Sequence, residues 1–151
     1  MEEADFFSKI KKFNEMYRVD NNDRPTLLEV ERLENFKKIL LEEVHEVDEI
    51  IGSYKNAISE GKDLSHEKKV EILTSISDWL GDLVVYSTSE ARRFGVDMEK
   101  ILHIIMESNF SKLGEDGKPI IDERGKIMKG PNYWKPEPKI SEFLGNELKK
   151  D

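Results

Sequence analysis

The residues best placed for chemistry in this chain are carboxylates at helical spacing. In Ile39-Leu40-Leu41-Glu42-Glu43-Val44-His45-Glu46-Val47-Asp48-Glu49-Ile50-Ile51, a turn of about 100° per residue gathers Leu40, Val44, Val47 and Ile51 into one narrow apolar stripe. Ile39, Glu43, Glu46 and Ile50 form the neighbouring stripe. Glu43 and Glu46 therefore have isoleucines one turn before and one turn after them, on a face predicted to be partly buried. Glu42 lies at the edge of that face, and His45, Asp48 and Glu49 point away. Adjacent carboxylates in such a place repel each other and lose hydration, and a bound cation relieves both costs. A Glu-rich helix segment is more ordinarily a solvated face, which incurs neither.

A second segment tips that balance. In Ser77-Asp78-Trp79-Leu80-Gly81-Asp82-Leu83-Val84-Val85-Tyr86, Asp82 stands within a run that is apolar nearly all round, with Asp78 one turn earlier. A buried carboxylate needs hydrogen bonds, a cationic partner or a metal. With an acidic pair on each of two long helices, a shared oxygen-ligand site is the simpler account. Such ligands suit Mg²⁺ or Mn²⁺ better than Zn²⁺ or Cu²⁺. Gly81 sits mid-helix, which close approach by another helix or by the ligand would explain, and a simple packing glycine would explain equally well.

Positioning these groups requires long helices, and the apolar periodicity supplies them. Phe6, Phe7, Ile10, Phe13 and Tyr17 predict a first helix over residues 2–18, with Phe6, Phe13 and Tyr17 in the core. A loop over 19–25 follows, with Thr26 as a cap. The second helix is predicted from about Leu27 to Glu60, where Gly61-Lys62-Asp63 ends it. Ser65 caps a third helix, from about His66 to Phe94, and Asp97 caps a fourth, to about Lys112. Beyond Leu113, Gly114-Glu115-Asp116-Gly117-Lys118 is echoed by Asp122-Glu123-Arg124-Gly125-Lys126, and strands near 119–121 and 126–128 would pair as a small hairpin. A last short helix fits residues 139–149. The expectation is a single all-α domain: a helical bundle of four main helices over about 2–112, with a C-terminal hairpin and loop appendage over about 113–151.

Bulk properties narrow the partners. A net charge of −8 disfavours nucleic acid, whose binding rests on clustered Lys and Arg. An anionic substrate still binds an acidic site if a divalent cation bridges the two. No cysteine is present, which removes disulfides and thiolate chemistry. No membrane-spanning run is present, and the acidic start Met1-Glu2-Glu3-Ala4-Asp5 is unlike a signal peptide, so a cytoplasmic location is expected. Residues 112–135 hold six basic and four acidic side chains, a local +2. Lys118, Lys126 and Lys129 are thus candidates for folding over phosphates. Tyr133 and Trp134 would either stack on a base or anchor the tail.

Glu42-Glu43-x-x-Glu46 followed by Asp78-x-x-Gly81-Asp82 resembles the metal motif of all-α nucleotide pyrophosphohydrolases, the superfamily of MazG proteins, dimeric dUTPases and phosphoribosyl-ATP pyrophosphohydrolase. The stretch from Glu107 through Asn109, Lys112 and Gly114 to Ile120, then Gly125-Lys126 and Lys129-Gly130-Pro131-Asn132-Tyr133, resembles a MazG-like subgroup. The likeness covers roughly Phe6 to Pro136. It implies an enzyme that hydrolyses a nucleoside triphosphate to the monophosphate and pyrophosphate, with nucleotide house-cleaning as its role and dUTP or another pyrimidine deoxynucleotide as a favoured substrate. It further implies that Glu42, Glu43, Glu46 and Asp82, with Asp78, hold Mg²⁺ or Mn²⁺. Glu42 or Glu43 would take a proton from the attacking water, Asn109 and Lys112 would contact phosphates, and the chain would form a homodimer or homotetramer. One departure stands out: the second motif is commonly Glu-x-x-Asp, and Trp79 occupies the glutamate position. The rival readings are phosphoribosyl-ATP hydrolysis, a helical metal or nucleotide sensor that binds without turnover, and an oligomerisation module with acidic faces.

Overall fold

The protein, described by a computed structural model over residues 4–59, 61 and 63–150, is all-α. Its helices are α1 (Phe6–Met16), α2 (Val30–Ser59), α3 (His66–Arg93), α4 (Met98–Phe110) and α5 (Glu137–Lys149). Two compact units divide the chain: Leu27–Glu90, and Met1–Thr26 with Ala91–Asp151. Residues 2 and 3 of the expected first helix, and Glu60 and Lys62 at the expected end of the second, lie outside the described residues.

Side-chain capping sets most helix starts. Asp5 Oδ1 accepts from the Ser8 amide at 2.9 Å, so α1 opens at Phe6. Ser65 Oγ accepts from the Lys68 amide at 3.1 Å and Asp97 Oδ1 from the Lys100 amide at 3.1 Å, as the sequence predicts. Thr26 does not cap α2. Its amide donates to the Phe94 carbonyl and its hydroxyl to the Arg24 carbonyl, so it fastens the loop, and α2 starts at Val30.

In the unit containing both chain ends, Ile10 and Asn14 of α1 are buried one turn apart, as are Ile101, Ile104 and Ser108 on α4. The expected core assignment of Phe6, Phe13 and Tyr17 is corrected: they are 38%, 43% and 65% exposed. The face of α1 that turns inward is the narrow one bearing Ile10 and Asn14. Phe13 and Tyr17 instead pack on each other outside, with ring centroids 4.7 Å apart.

The tail departs from the expected pair of strands. Among the described residues no strand forms, only an antiparallel bridge between Ile121 and Ile127. The ladder stops one step further, where Met128 donates to the Ile120 carbonyl, because the next pair in register is turned to other partners: the Lys118 carbonyl accepts from the Gly114 amide, and the Gly130 amide donates to the Lys112 carbonyl. The near-repeat in sequence is a repeat in structure. Gly117 donates to the Gly114 carbonyl and Gly114 to that of Lys118; Gly125 donates to the Asp122 carbonyl and Asp122 to that of Lys126. Both glycines are left-handed, at φ 74° and 79°, as a turn closed by a bulge requires. Lys118 and Lys126 occupy equivalent positions directly after them.

Candidate functional site

The carboxylates sit on the helical pair α2 and α3, both within the Leu27–Glu90 unit apart from the last turn of α3. Two polar contacts fix how the helices run. Arg32 Nε donates to Glu90 Oε1 at 2.7 Å, and Trp79 Nε1 donates to the Glu43 carbonyl at 2.8 Å. From one contact to the other, α2 advances eleven residues and α3 falls back eleven, so the helices are antiparallel.

Helical phase then sorts every other side chain on the pair. Counting about 100° per residue from the facing positions Glu43 and Trp79, Glu42, Glu46 and Glu49 fall on one flank of α2, and Leu33, Val44 and Ile51 on the other. On α3 the same count puts Glu71, Asp78 and Asp82 on one flank and Leu73, Leu80 and Val84 on the other. Antiparallel packing brings the two acidic flanks to the same side of the pair. A cleft lined by Glu49, Ser53, Glu71 and Ser75 continues that side toward the helix ends.

Glu43, the position facing Trp79, is 5% exposed, and its Oε2 is buried with no hydrogen-bond partner. Burial, then the neighbouring Glu46 and Asp82 charges, push its carboxyl above the ordinary carboxylate range, against the hydroxyl of Tyr86, which pulls it down. The Tyr86 phenol is itself raised, first by burial and then by the fields of Glu43 and Asp82. The structure thus brings together Glu43, Glu46, Asp82 and Tyr86. Sequence reasoning passed over Tyr86, although its place one turn after Asp82 on the same face was the available signal.

The remaining candidates are less gathered. Glu42 is exposed on α2, and Asp78 borders a depression on the outer face of α3 with Val70, Leu73, Thr74 and Ser77. The apolar stripe of Leu40, Val44, Val47 and Ile51 is split: Leu40 and Val47 are half-buried, whereas Val44 and Ile51 are 55% and 43% exposed. Glu43, whose carbonyl accepts from Trp79 of α3, is buried, and Ile39, Leu40, Val47 and Ile50 are half-buried around it. Among the described residues, no three His, Asp or Glu side chains converge closely enough to enclose a metal ion.

The candidate phosphate contacts belong to the other unit. Asn109 is exposed on the last turn of α4, while Lys112 lies beyond the helix, its amide donating to the Asn109 carbonyl at 3.2 Å. The expected shared helix face of these two is therefore a helix end followed by a turn. Lys118, Lys126 and Lys129 are exposed, and Lys129 Nζ stands 5.0 Å from the Tyr133 ring centroid. Trp134 anchors the tail through its backbone, accepting from Ser108 Oγ at 2.8 Å and donating to Ser111 Oγ at 3.2 Å. Its ring lies under Lys139 Nζ at 3.8 Å. No described helix is long and apolar enough to cross a membrane.

Neither a protein-family model nor a curated protein matches the chain. Among solved structures, it shares its fold with a "putative NTP pyrophosphohydrolase" from Exiguobacterium sp. 255-15, at a TM-score of 0.52 and 21% identity over 97% of this chain and 98% of that one.

Proposed function

We propose that the chain is a divalent-metal-dependent pyrophosphohydrolase acting on a nucleoside or deoxynucleoside triphosphate, releasing the monophosphate and pyrophosphate. The observation that carries this reading is the buried Glu43 oxygen without a partner, facing two further carboxylates. A fold shared with a protein named for the same chemistry supports it. The donors fit a hard cation: all are oxygens, and one of them is desolvated and unsatisfied. Glu43, Glu46 and Asp82 would hold Mg²⁺ or Mn²⁺, with Glu42 and Asp78 at the margins. Glu46 and Asp82 are exposed enough to swing toward a bound ion. When bound, the cation supplies charge neutralisation at phosphate oxygens and an acidified water.

The chain's own groups do the rest. Glu42, or Glu43 if an oxygen stays off the metal, takes the proton of the attacking water. Asn109 and Lys112 bind phosphate oxygens, and Lys118, Lys126 and Lys129 offset charge on the released pyrophosphate. Tyr133 lies against the base. Pyrimidine deoxynucleotides such as dUTP are the preferred class, and nucleotide-pool house-cleaning in the cytoplasm is the role. Incubation with a panel of nucleoside triphosphates and MgCl₂, following pyrophosphate and the nucleotide product, tests this. Monophosphate and pyrophosphate in equal amounts, lost by about 100-fold or more in Glu46→Gln, are expected. A silent panel would overturn the reading and favour a sensor that binds without turnover, for which Trp79 in place of a carboxylate is the supporting feature.

A homodimer or homotetramer is also proposed. Leu73, Leu80 and Val84 on α3 and Leu33, Val44 and Ile51 on α2 are 43–59% exposed on the side opposite the acids. Leaving such a stripe in water forfeits the burial that stabilises a helical pair. Light scattering at micromolar concentration should give a multiple of the monomer mass, and Val84→Glu should reduce it; a wild-type monomer would sink this proposal.

A further inference from the structure

Trp79 of α3 reaches across to the backbone of α2 at the level of the site. Its indole N–H donates to the Glu43 carbonyl at 2.8 Å, and the ring is half-buried. That carbonyl lies mid-helix, where it already accepts from the amide four residues on, so the indole uses its second lone pair. The bond is made to the same residue whose carboxylate oxygen is buried and unsatisfied. Trp79 also lies three residues before Asp82, hence on the same face of α3. Trp79 faces α2 about 60° of helical rotation from Asp82, and its indole brings no charge there.

We propose that Trp79 is a positioning residue: it seats α3 against the Glu43 backbone so that the Glu43 carboxylate is held toward Glu46 and Asp82, and by bringing no charge of its own it leaves three carboxylates for a single divalent cation. This rests on the reading of these carboxylates as a cation site. One dipositive ion against three carboxylates leaves a charge of −1. A second ion would face a donor set with no carboxylate at position 79 to hold it apart from the first. Removing the N–H while keeping a ring loosens the seating of α3 on α2 beside Glu43, the kind of outer contact whose loss weakens metal binding by about tenfold or more.

The test uses the full chain and Mn²⁺, with no nucleotide. Binding is followed by the electron paramagnetic resonance signal of free Mn²⁺, and by quenching of Trp79 fluorescence in a Trp134→Phe background. One Mn²⁺ per chain, quenching Trp79 saturably, is expected. Trp79→Phe should keep its helical circular dichroism and bind about tenfold more weakly. Trp79→Glu should gain a second ion, which a purely structural role for the indole would not produce. If Trp79→Phe is misfolded, the stoichiometry of the wild type and the quenching still decide. Two ions per wild-type chain, no ion at all, or equal affinity in Trp79→Phe would overturn the proposal. Equal affinity alongside intact pyrophosphate release defeats this inference alone. One tightly held ion with no release from any nucleotide defeats the functional reading and leaves Trp79 in its role.

Discussion

The pair α2 and α3 buries a carboxylate at two places, and treats them oppositely. Glu90 is 7% exposed and receives the Arg32 guanidinium at 2.7 Å, on side chains only 18% and 9% exposed. Glu43, eleven residues along α2 from that arginine, is 5% exposed, with two carboxylates for neighbours and an oxygen that nothing satisfies. Burying an ion costs several kcal/mol unless a counter-charge and hydrogen bonds offset it. The first site offsets that cost within the fold. The second does not, and a group left in that condition is one a ligand can complete. The difference separates a carboxylate that holds the helices together from one held ready by them.

The largest effect that sharpens this contrast is expected at the paired end. Arg32→Met takes the guanidinium from buried Glu90 and should destabilise the protein by about 3–5 kcal/mol, read by urea unfolding. The loss should be the same with and without MgCl₂, since this pair lies three turns from the site. A loss that Mg²⁺ rescues would mean the two carboxylates are one system, and the comparison would fail.

How much of this was legible beforehand differs between the same two places. The helices and their caps at Ser65 and Asp97 follow from apolar period and side-chain chemistry, and the fold class with them. Glu43 was legible because it and Glu46 stand between isoleucines, with Ile39 one turn before Glu43 and Ile50 one turn after Glu46. Which part of the apolar surface of α2 turns inward was not: Val44 and Ile51 are as apolar as Ile39 and Ile50, and the facing position is marked by a bond from Trp79, thirty-six residues away in sequence. Arg32 and Glu90 gave no signal, being one arginine and one glutamate among many. Asp78 reads as a partner of Asp82 because only about 40° of helical rotation separates them, yet it borders the outer face. The tail's twin turns were visible as repeated glycines, whereas the absence of strands depended on where Gly130 sends its amide.

A smaller effect is expected at the unpaired end, with the opposite sign. Glu43 has its carboxyl raised above 4.5, so its contribution is favourable below that ordinary value and is lost as pH rises through the folded value. At neutral pH without metal it therefore costs stability. Glu43→Gln should unfold at a higher temperature than the wild type at pH 7.5, by about 2–4 °C for each kcal/mol recovered, and should match it near pH 4. With MgCl₂ the order should reverse, because only the wild type gains from the ion. A glutamine variant less stable at pH 7.5 without metal would show that Glu43 is satisfied after all.

The smallest effect concerns the one neighbour that favours Glu43 in its charged form. The Tyr86 hydroxyl lowers the Glu43 carboxyl against the pull of burial and of Glu46. Tyr86→Phe removes that donor, lets the carboxyl rise further, and should cost about 1 kcal/mol at neutral pH without metal. Near pH 4, where Glu43 is protonated in both proteins, the cost should fall toward zero. In a Glu43→Gln background the pH dependence should vanish, and the double-mutant cycle isolates the coupling. An equal cost at both pH values would assign Tyr86 to packing alone. A cost confined to neutral pH would place it between the two extremes of this helical pair: a partner strong enough to keep Glu43 ionisable, and too weak to do for it what Arg32 does for Glu90.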